Sequence, residues 1–240
     1  MTTIEPAPLS GGRSAVIERA TGLLLTPGRA WDRIASEPAT IRGLYVGYVM
    51  ILAAAPALAQ AVGASLFPSV VSTADGGFVA RASLGGVLGG AVASYVLSLV
   101  TVAALALLIE RLAPVFDGRG ERLQAFKVAA YSMTPVWVAG ALHLFPPLAP
   151  AGTLLVLYGA YLLYLGLPKL MRPAADRALP FVGVAAVAGV ALSLASAALL
   201  GALAAPGGLG AGAAASEDVL ILPDGRRLDL ATVPEARPIS

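Results

Sequence analysis

One stretch of the sequence, residues 127–169, constrains the fold more than any other. Between its two terminal lysines it has no acidic residue and no basic residue except His143. An α-helix rises 1.5 Å per residue, so about twenty residues cross a hydrocarbon core of roughly 30 Å. The stretch is long enough to cross a bilayer twice, and Phe-Pro-Pro-Leu at 145–148 is typical of a turn. The sequence therefore predicts two membrane-spanning helices joined by an uncharged turn.

The composition of the chain agrees with a membrane environment. Hydrophobic residues make up 58% of the 240 residues and charged residues 12%, with a mean hydropathy of +0.81. Globular domains carry about 25% charged residues, so this chain has too few charges to cover a water-soluble surface. The net charge of +2 does not indicate a nucleic-acid partner. The chain has no cysteine, which excludes disulfides and thiolate metal sites.

Five apolar segments are predicted to cross the membrane: 43–66, 84–112, the two halves of 127–169, and 179–203. Small residues recur at every fourth position in three of them, a spacing that lets helices approach closely in lipid. These residues are Ala53, Ala57 and Ala61, then Gly86, Gly90, Ser94 and Ser98, then Ala185, Gly189, Ser193, Ala197 and Gly201. Pro56 and Pro135 interrupt the first and third segments, and the Thr134 hydroxyl is predicted to bind a carbonyl that Pro135 releases.

Two short helices are predicted before the first span. Residues 13–25 show a helical period, with Val16, Ile17 and Leu23 on an apolar face and arginines on the other. Pro27 is typical of the start of the second helix, and Pro38 is typical of its end. Two interpretations of these basic amphipathic helices stay open: they lie in the headgroup plane, or they pack on the cytoplasmic ends of the spans. The first apolar run follows about forty polar residues, too late for a cleaved secretory signal.

The sequence as a whole predicts an all-α membrane protein with five transmembrane helices, short amphipathic N-terminal helices and a small C-terminal β-hairpin. Residues 67–83 are predicted to form a loop, and 207–215 are predicted to form a Gly/Ala linker. In 219–230 two short apolar runs flank Pro-Asp-Gly, the pattern of a β-hairpin. The predicted parts are an N-terminal arm with interfacial helices (1–40), a five-span membrane domain (41–205), and a linker with an extramembrane tail (206–240).

The distribution of basic residues predicts the orientation. Lys and Arg in short loops stay in the cytoplasm. Twelve basic residues flank alternate spans on one side: Arg13, Arg19, Arg29, Arg33, Arg42, Arg111, Arg119, Arg122, Lys127, Lys169, Arg172 and Arg177. The opposite loops have only Arg81. We therefore expect an inner-membrane protein with a cytoplasmic N-terminus and, after five spans, a periplasmic C-terminus, with anionic headgroups as partners of the basic face.

Three phrases of the sequence resemble the bacterial branch of the Yip1 family: TPGRAWDRI at 26–34, KVAAYSMTP at 127–135, and YGAYLLYLGL at 158–167. The resemblance implies a five-span helical protein with a cytoplasmic N-terminus. Eukaryotic members are associated with small GTPases and membrane shaping, but their acidic, tyrosine-containing N-terminal motif is absent here, so that role is not carried over. The candidate interaction residues within these phrases are Trp31, Tyr131, Ser132, Pro135, Tyr158 and Tyr161.

No catalytic, cofactor or metal site is predicted. The single histidine, His143, is predicted to lie in an aromatic belt near Trp137, because one imidazole is too few for a metalloprotease site. Lys127 and Lys169 lie at span ends, where they are predicted to snorkel toward headgroups. Glu110, beside Arg111 at the end of the second span, is predicted to form an ion pair or to reach headgroups. The tyrosines of the fourth span are predicted to pack between helices rather than to hold a ligand.

The functional prediction follows from this lack of buried chemistry. We expect a non-enzymatic protein that organises the membrane or binds other proteins, with lipid, membrane-protein partners or a second copy of itself as partners. The alternative is a transporter or channel for a neutral solute or lipid, since prolines in spans are typical of helices broken around a midplane site. The polar candidates for such a pathway are Gln60, Ser94, Ser98, Thr101, Ser132, Thr134 and Ser193.

Overall fold

The computed structural model describes residues 13–66, 69–73, 76–80, 84–144, 149–204, 219–221 and 227–229. The helices within these residues are α1 Arg13–Leu25, α2 Pro27–Ser36, α3 Ile41–Leu44, α4 Met50–Leu66, α5 Leu84–Leu112, α6 Arg122–Ser132, α7 Thr134–Ala141, α8 Ala149–Met171 and α9 Ala178–Ala204. A π-helical turn, Tyr45–Val49, joins α3 to α4, and 3₁₀ turns follow α5 (Ala113–Phe116) and α7 (Leu142–Leu144). The strands are β1 Ser69–Thr73, β2 Gly76–Ala80, β3 Val219–Ile221 and β4 Arg227–Asp229.

Four helical segments of the described chain are long and apolar enough to cross a bilayer. They are Ile41–Leu66, Leu84–Phe116, Leu154–Met171 and Ala178–Leu203. The 26 residues of the first and the last would extend for about 39 Å, more than the roughly 30 Å of a hydrocarbon core. These four correspond to the first, second, fourth and fifth predicted spans.

The predicted third span is divided into two helices, α6 and α7, which meet at Met133. Pro135 lies in the first turn of α7, where its missing N–H leaves no hydrogen bond unmade. Farther inside a continuous helix, its ring would clash with the carbonyl of the residue four positions earlier. Eleven and eight residues are each too few to cross a bilayer alone, so this segment does not count among the four long helices.

Hydrogen bonds between side chains and backbone give the directions of neighbouring helices. The phenol of Tyr45 donates to the carbonyl of Leu99 (3.4 Å), and the phenol of Tyr95 donates to that of Met50 (3.3 Å), so α4 and α5 are antiparallel. The hydroxyls of Thr101 and Ser196 share a hydrogen bond of 2.8 Å between α5 and α9.

The α6–α7 segment packs on α8 along its length, with α6 also against α5 and α7 also against α4. Tyr48 and Thr134 share a hydrogen bond of 2.8 Å, which joins the π-helical turn to the start of α7. A Cβ built on Gly159 of α8 would lie 3.0 Å from the carbonyl oxygen of Ser132, and one on Gly152 would lie 3.7 Å from Ala139. Residue numbers therefore rise along one helix as they fall along the other, and α8 runs antiparallel to α6–α7.

Close approach of helices depends on other glycines than the predicted stripes suggest. A Cβ on Gly140 of α7 would meet that of Pro56 at 2.5 Å, so a side chain there would push α7 from α4. Gly90, predicted to pack closely, is exposed, and no described atom lies within 4 Å of a Cβ built on it. The prediction for this part of α5 is therefore wrong. Ala53 and Ala57 of the first stripe are buried.

The strands form two small antiparallel pairs. β1 pairs with β2, with Val71 opposite Phe78, so the predicted loop at 67–83 is wrong for these ten residues. β3 pairs with β4, with Leu220 opposite Leu228. The N-terminal arm at 1–12, the turn at 145–148 and the linker at 207–215 lie outside the described residues.

Candidate functional site

Helices α1 and α2, called here the α1–α2 hairpin, are fixed to one end of the bundle by their apolar face. Val16 and Leu23 of α1 and Trp31 and Ile34 of α2 are buried in the common hydrophobic core. This confirms that the hairpin packs on the spans. Ile17, however, is 65% exposed although the helical pattern predicts it on the buried face, so contact of the hairpin with lipid remains a prediction.

Lys127 binds the end of α2 and does not snorkel. Its ammonium donates to the carbonyl oxygens of Ile34 (2.8 Å) and Glu37 (2.7 Å), and the residue is only 3% exposed. The last carbonyls of a helix have no partner inside the helix, and the C-terminus carries partial negative charge. A buried ammonium there donates hydrogen bonds to the unpaired carbonyls and places a positive charge beside the partial negative charge. The prediction that this lysine reaches headgroups is therefore wrong.

Lys169, at the other end of the same uncharged stretch, also binds α2. Its ammonium donates to the carbonyl oxygen of Gly28 at 3.1 Å and forms an ion pair with the carboxylate of Asp32. Lys127 and Lys169 are 42 positions apart, yet both contact α2, one near each end. The prediction that Lys169 extends toward headgroups is therefore also wrong, because its ammonium binds α2 within the protein.

Tyr158 closes the end of α1. Its phenol lies 3.3 Å from the carbonyl oxygen of Leu23 and 3.0 Å from that of Leu24, two of the last carbonyls of the helix. This confirms the interpretation of Tyr158 as a packing residue with a hydrogen bond. Tyr161 lies beside it, with ring centroids 5.5 Å apart, but the side chain of Tyr161 is exposed.

Trp31 lies where the three sequence phrases meet. Its indole is fully buried and makes an edge contact with the ring of Tyr131, with centroids 6.1 Å apart. A Cβ on Gly166 would lie 2.6 Å from two carbons of the same indole, so only glycine leaves room for it. One residue from each phrase thus contributes to a single contact. Among the described residues the Trp31 Nε1 atom has no hydrogen-bond acceptor.

Arg19 connects the hairpin to α6 through a part-buried charge network. Its guanidinium donates to the phenol of Tyr131 at 2.7 Å, and its Nη2 atom lies 2.8 Å and 2.7 Å from the two carboxylate oxygens of Glu37. Burial by itself lowers the pKa of Arg19, but Tyr131 and Glu37 outweigh burial and the net pKa is raised. The guanidinium therefore stays charged. The sequence does not predict this network, because the helical pattern places Arg19 on the polar face of α1.

The other predicted interaction residues are buried in the bundle beside this network. Thr134 and Pro135 have essentially no exposed surface, and Ser132 is 4% exposed. The Thr134 hydroxyl pairs with Tyr48 rather than with a carbonyl released by Pro135, contrary to the prediction. The hydroxyl of Ser132 is buried and has no hydrogen-bond partner among the described residues.

A cleft of about 910 Å³, called here the hairpin cleft, separates the α1–α2 hairpin from the start of the first span. Its walls include Val16, Arg19 and Ile34 on the hairpin side. Gly47 and Ile51 line it on the side of the span, and Tyr131 also contributes. The cleft therefore joins a charged region, which contains three arginines and two glutamates, to an apolar one.

A second cavity, of about 570 Å³, lies between α4, α5, α7, α8 and α9, and is called here the interior cavity. Five of the seven polar residues predicted for a transport pathway line it: Gln60, Ser94, Ser98, Thr101 and Ser193. Ser132 and Thr134 do not. The indole N–H of Trp137 donates to the hydroxyl of Ser98 at 2.9 Å in its wall.

The connection between α5 and α6 and the connection between α8 and α9 lie at the same end of the bundle as the α1–α2 hairpin. The backbone N–H of Arg119 donates to the carbonyl of Met171 at 2.7 Å, and Arg177 forms an ion pair of 3.2 Å with Asp117. Glu110 pairs with Arg122 at 3.0 Å, rather than with the adjacent Arg111. This end, called here the hairpin end, therefore gathers the basic segments that the sequence assigns to one side of the membrane.

The described residues contain no group of three or more side chains able to hold a metal ion. The side chain of His143, predicted to lie in an aromatic belt, is outside the described part of the structure.

The long apolar helices and the buried polar contacts between them define a helical integral membrane protein. A family model described as the Yip1 domain matches residues 21–206, and the chain therefore belongs to the Yip1 domain family, as its three phrases predicted. Over 163 residues it is 28% identical to the inner membrane protein YohC of Escherichia coli K12, with 67% of this chain and 82% of YohC covered. YohC of Escherichia coli O6:H1 strain CFT073 gives the same values. No solved structure matches the chain.

Proposed function

We propose that the chain is a non-enzymatic, membrane-organising protein of the inner membrane, with five crossings and a cytoplasmic hairpin end. The observation that carries the proposal is the anchoring of the α1–α2 hairpin. Lys127, Lys169 and Tyr158 bind carbonyl oxygens of the hairpin, and Tyr131 contacts its Trp31 and Arg19 side chains. A hairpin fixed in this way presents the same surface to the headgroup layer in every molecule.

The count of five crossings is supported by the position of residues 122–144. At 1.5 Å per residue they extend for about 34 Å, enough for the hydrocarbon core. They run antiparallel to α8 at two levels, at Gly159 and again at Gly152. With only four crossings, the loops that contain Arg119 and Ala175 would lie on opposite sides of the membrane. The 2.7 Å hydrogen bond from Arg119 to Met171 favours the same side.

The cytoplasmic orientation is supported by the basic residues at the hairpin end, because Lys and Arg in short connections stay inside. The inner membrane is supported by the name of YohC, an inner membrane protein. Since the chain has no cysteine, single cysteines can report its topology. In intact cells an impermeant maleimide should label Leu66→Cys but neither Arg119→Cys nor Ala175→Cys. Labelling of Ala175→Cys with protection of Arg119→Cys would show that residues 122–144 do not cross.

Contact of the hairpin with lipid is supported by exposed apolar side chains beside exposed arginines. Leu25 and Ile17 are 75% and 65% exposed, and Arg29 and Arg33 are also exposed. Apolar groups beside basic groups favour an anionic membrane surface. An amphipathic helix on this surface inserts apolar side chains among the lipids and attracts anionic headgroups. Neither effect needs a catalytic group, so both fit a structural role.

The test uses the full chain in nanodiscs, with an environment-sensitive dye on Leu25→Cys or Ile17→Cys. The dye emission should shift to shorter wavelength when zwitterionic lipid is replaced by anionic lipid. The same dye on Ala175→Cys, in an exposed loop at the hairpin end, is the matched control and should shift less. Equal shifts at all three positions would contradict contact between the hairpin and the membrane surface.

A second candidate function, a pathway for a neutral solute or lipid, is favoured by the interior cavity. Its hydroxyls come from α5 and α9, and the hydroxyls of Thr101 and Ser196 share a hydrogen bond in its wall. The test is flux of glycerol, or flipping of a fluorescent phospholipid, in proteoliposomes. Ala197→Leu fills the cavity wall and should stop flux, whereas Gly183→Leu, in open space on the same helix, should not. No flux above empty liposomes would exclude this candidate.

A further inference from the structure

We infer that the hairpin cleft binds one anionic phospholipid from the leaflet at the hairpin end. Its phosphate would lie at Arg29 and Arg33, and one acyl chain would pass between the hairpin and the first span at Gly47 and Ile51. The inference rests on the proposed function, in which this end of the bundle faces headgroups. It adds a defined site, a stoichiometry of one and a lipid class.

The polar part of the cleft has two arginines that are available to a phosphate. Arg29 lines the cleft and has no ion-pair partner among the described residues. Arg33 lies 3.7 Å from Glu18, and both side chains are at least 75% exposed, so their ion pair is weak. The guanidinium of Arg19 already binds Glu37 and Tyr131, so Arg19 is not counted among the residues that contact the phosphate. A phosphate at this position replaces a weak contact and breaks no buried one.

The apolar part of the cleft opens beside a membrane-spanning helix. Val16, Ile34 and Leu44 line its interior, and Ile51, 47% exposed, lies on the segment Ile41–Leu66. Gly47 forms a notch in the π-helical turn, where no described atom lies within 4 Å of an added Cβ. Single π-helical turns inside helices are frequent at functional sites. An acyl chain could enter this notch from the bilayer without displacing a side chain.

The combination of the two parts selects an amphiphile over other ligands. A volume of about 910 Å³ lies within the range of roughly 300–1,000 Å³ that is typical of small-molecule sites. A free phosphate would fill only the arginine region and leave the apolar walls empty. A water-soluble metabolite would gain no favourable contact from the apolar opening at Ile51, which lies within a membrane span. A phospholipid satisfies both regions, and its negative headgroup complements the arginines.

The experiment uses the full chain in phosphatidylcholine nanodiscs with a trace of phosphatidylglycerol that carries a photoactivatable acyl chain. After irradiation, mass spectrometry should find one lipid per chain, attached to peptides of the hairpin or of residues 41–51. Gly47→Leu fills the notch, and the double variant Arg29→Gln/Arg33→Gln removes the phosphate contacts. The double variant should reduce cross-linking about tenfold or more, since it removes two basic contacts to an anionic lipid. Gly47→Leu should also reduce cross-linking, because the leucine side chain occupies the space of the acyl chain. Gly183→Leu, in open space at the start of α9, should cross-link like the wild type.

Several results would overturn the inference. These are equal cross-linking of photoactivatable phosphatidylcholine, and cross-linking that is unchanged in Gly47→Leu and also in the double arginine variant. Competition by millimolar inorganic phosphate, or attachment of a second copy of the chain at these peptides, would also overturn it. Failure here is distinguishable from failure of the proposed function. A dye at Leu25→Cys that still responds to anionic lipid, with no cross-link in the cleft, would keep the surface contact and remove the bound lipid.

Discussion

Gly166 faces the indole of Trp31 so closely that one added methyl group should loosen the α1–α2 hairpin. In Gly166→Ala the new Cβ would lie 2.6 Å from Cε2 and Cη2 of Trp31. Carbon atoms in contact prefer about 3.5–4.0 Å, so the indole or α2 must move by roughly 1 Å. Trp31 is fully buried, has no free space and sits against Tyr131, so the movement disturbs the contact that holds the hairpin.

The magnitude follows from two opposing effects. Overpacking of a filled core costs about 1–3 kcal/mol. Replacing glycine by alanine inside a helix contributes about 0.8–1 kcal/mol of stabilisation. The clash should therefore appear as a difference of about 1–3 kcal/mol between Gly166→Ala and an unhindered control. Gly183→Ala is such a control, because Gly183 is also in a spanning helix and no described atom lies within 4 Å of an added Cβ.

Two measurements check this prediction in detergent micelles or nanodiscs. Gly166→Ala should lower the thermal unfolding midpoint relative to Gly183→Ala, and hydrogen exchange should rise in α1 and α2 before it rises in α5 or α9. In a Trp31→Leu background the same substitution should have little effect, because the ring that clashes is gone. If Gly166→Ala behaves like Gly183→Ala and exchange in α2 is unchanged, the docking of the hairpin against α8 is wrong.

Three further substitutions test the contacts around the hairpin and the interior cavity. Lys127→Met removes two charge-assisted hydrogen bonds, and each lost bond should lower the free energy of unfolding by up to about 1.5–3 kcal/mol. Hydrogen exchange should become faster at the end of α2, and unchanged exchange would contradict the role of Lys127. Gly140→Ala places a Cβ 2.5 Å from that of Pro56 and should lower the unfolding midpoint, relative to Gly183→Ala, by the equivalent of about 1–3 kcal/mol; a midpoint equal to that of Gly183→Ala would refute the close approach. Ser98→Ala leaves the Trp137 N–H without its acceptor and should cost about 0.6–1.7 kcal/mol in the unfolding free energy, with no cost in a Trp137→Phe background.

The spans were the most predictable part of the structure. Crossing a hydrocarbon core requires about twenty consecutive apolar residues whatever the helix packs against, so hydropathy alone located four of them. Residues 127–144 have the same composition, but Pro135 divides them into α6 and α7. The proline was visible in the sequence. That every residue from Ala125 to Ser132 would be buried at the centre of the bundle was not, because burial depends on the helices on both sides.

The candidate site was predicted as a set of residues but not as a set of contacts. Resemblance pointed to Trp31, Tyr131 and Tyr158, and the structure brings them to the same end of the bundle. Tyr161 comes from the same phrase as Tyr158 and its ring lies beside that of Tyr158, yet Tyr161 is exposed. Glu37 belongs to none of the phrases, and its pairing with Arg19 spans two helices. No local pattern indicates such a pairing.

The sequence by itself determined that lipid surrounds this chain and that basic residues gather on alternate connections, because both properties depend only on the local choice of side chains. The tertiary structure decided where the two lysines of the central stretch bind. A lysine stem at a span end reaches either a headgroup or a nearby carbonyl, and the sequence does not say which is closer. Folding places the open carbonyls of α2 within 2.8 Å of Lys127, and the ammonium binds there because those carbonyls have no other donor in their helix.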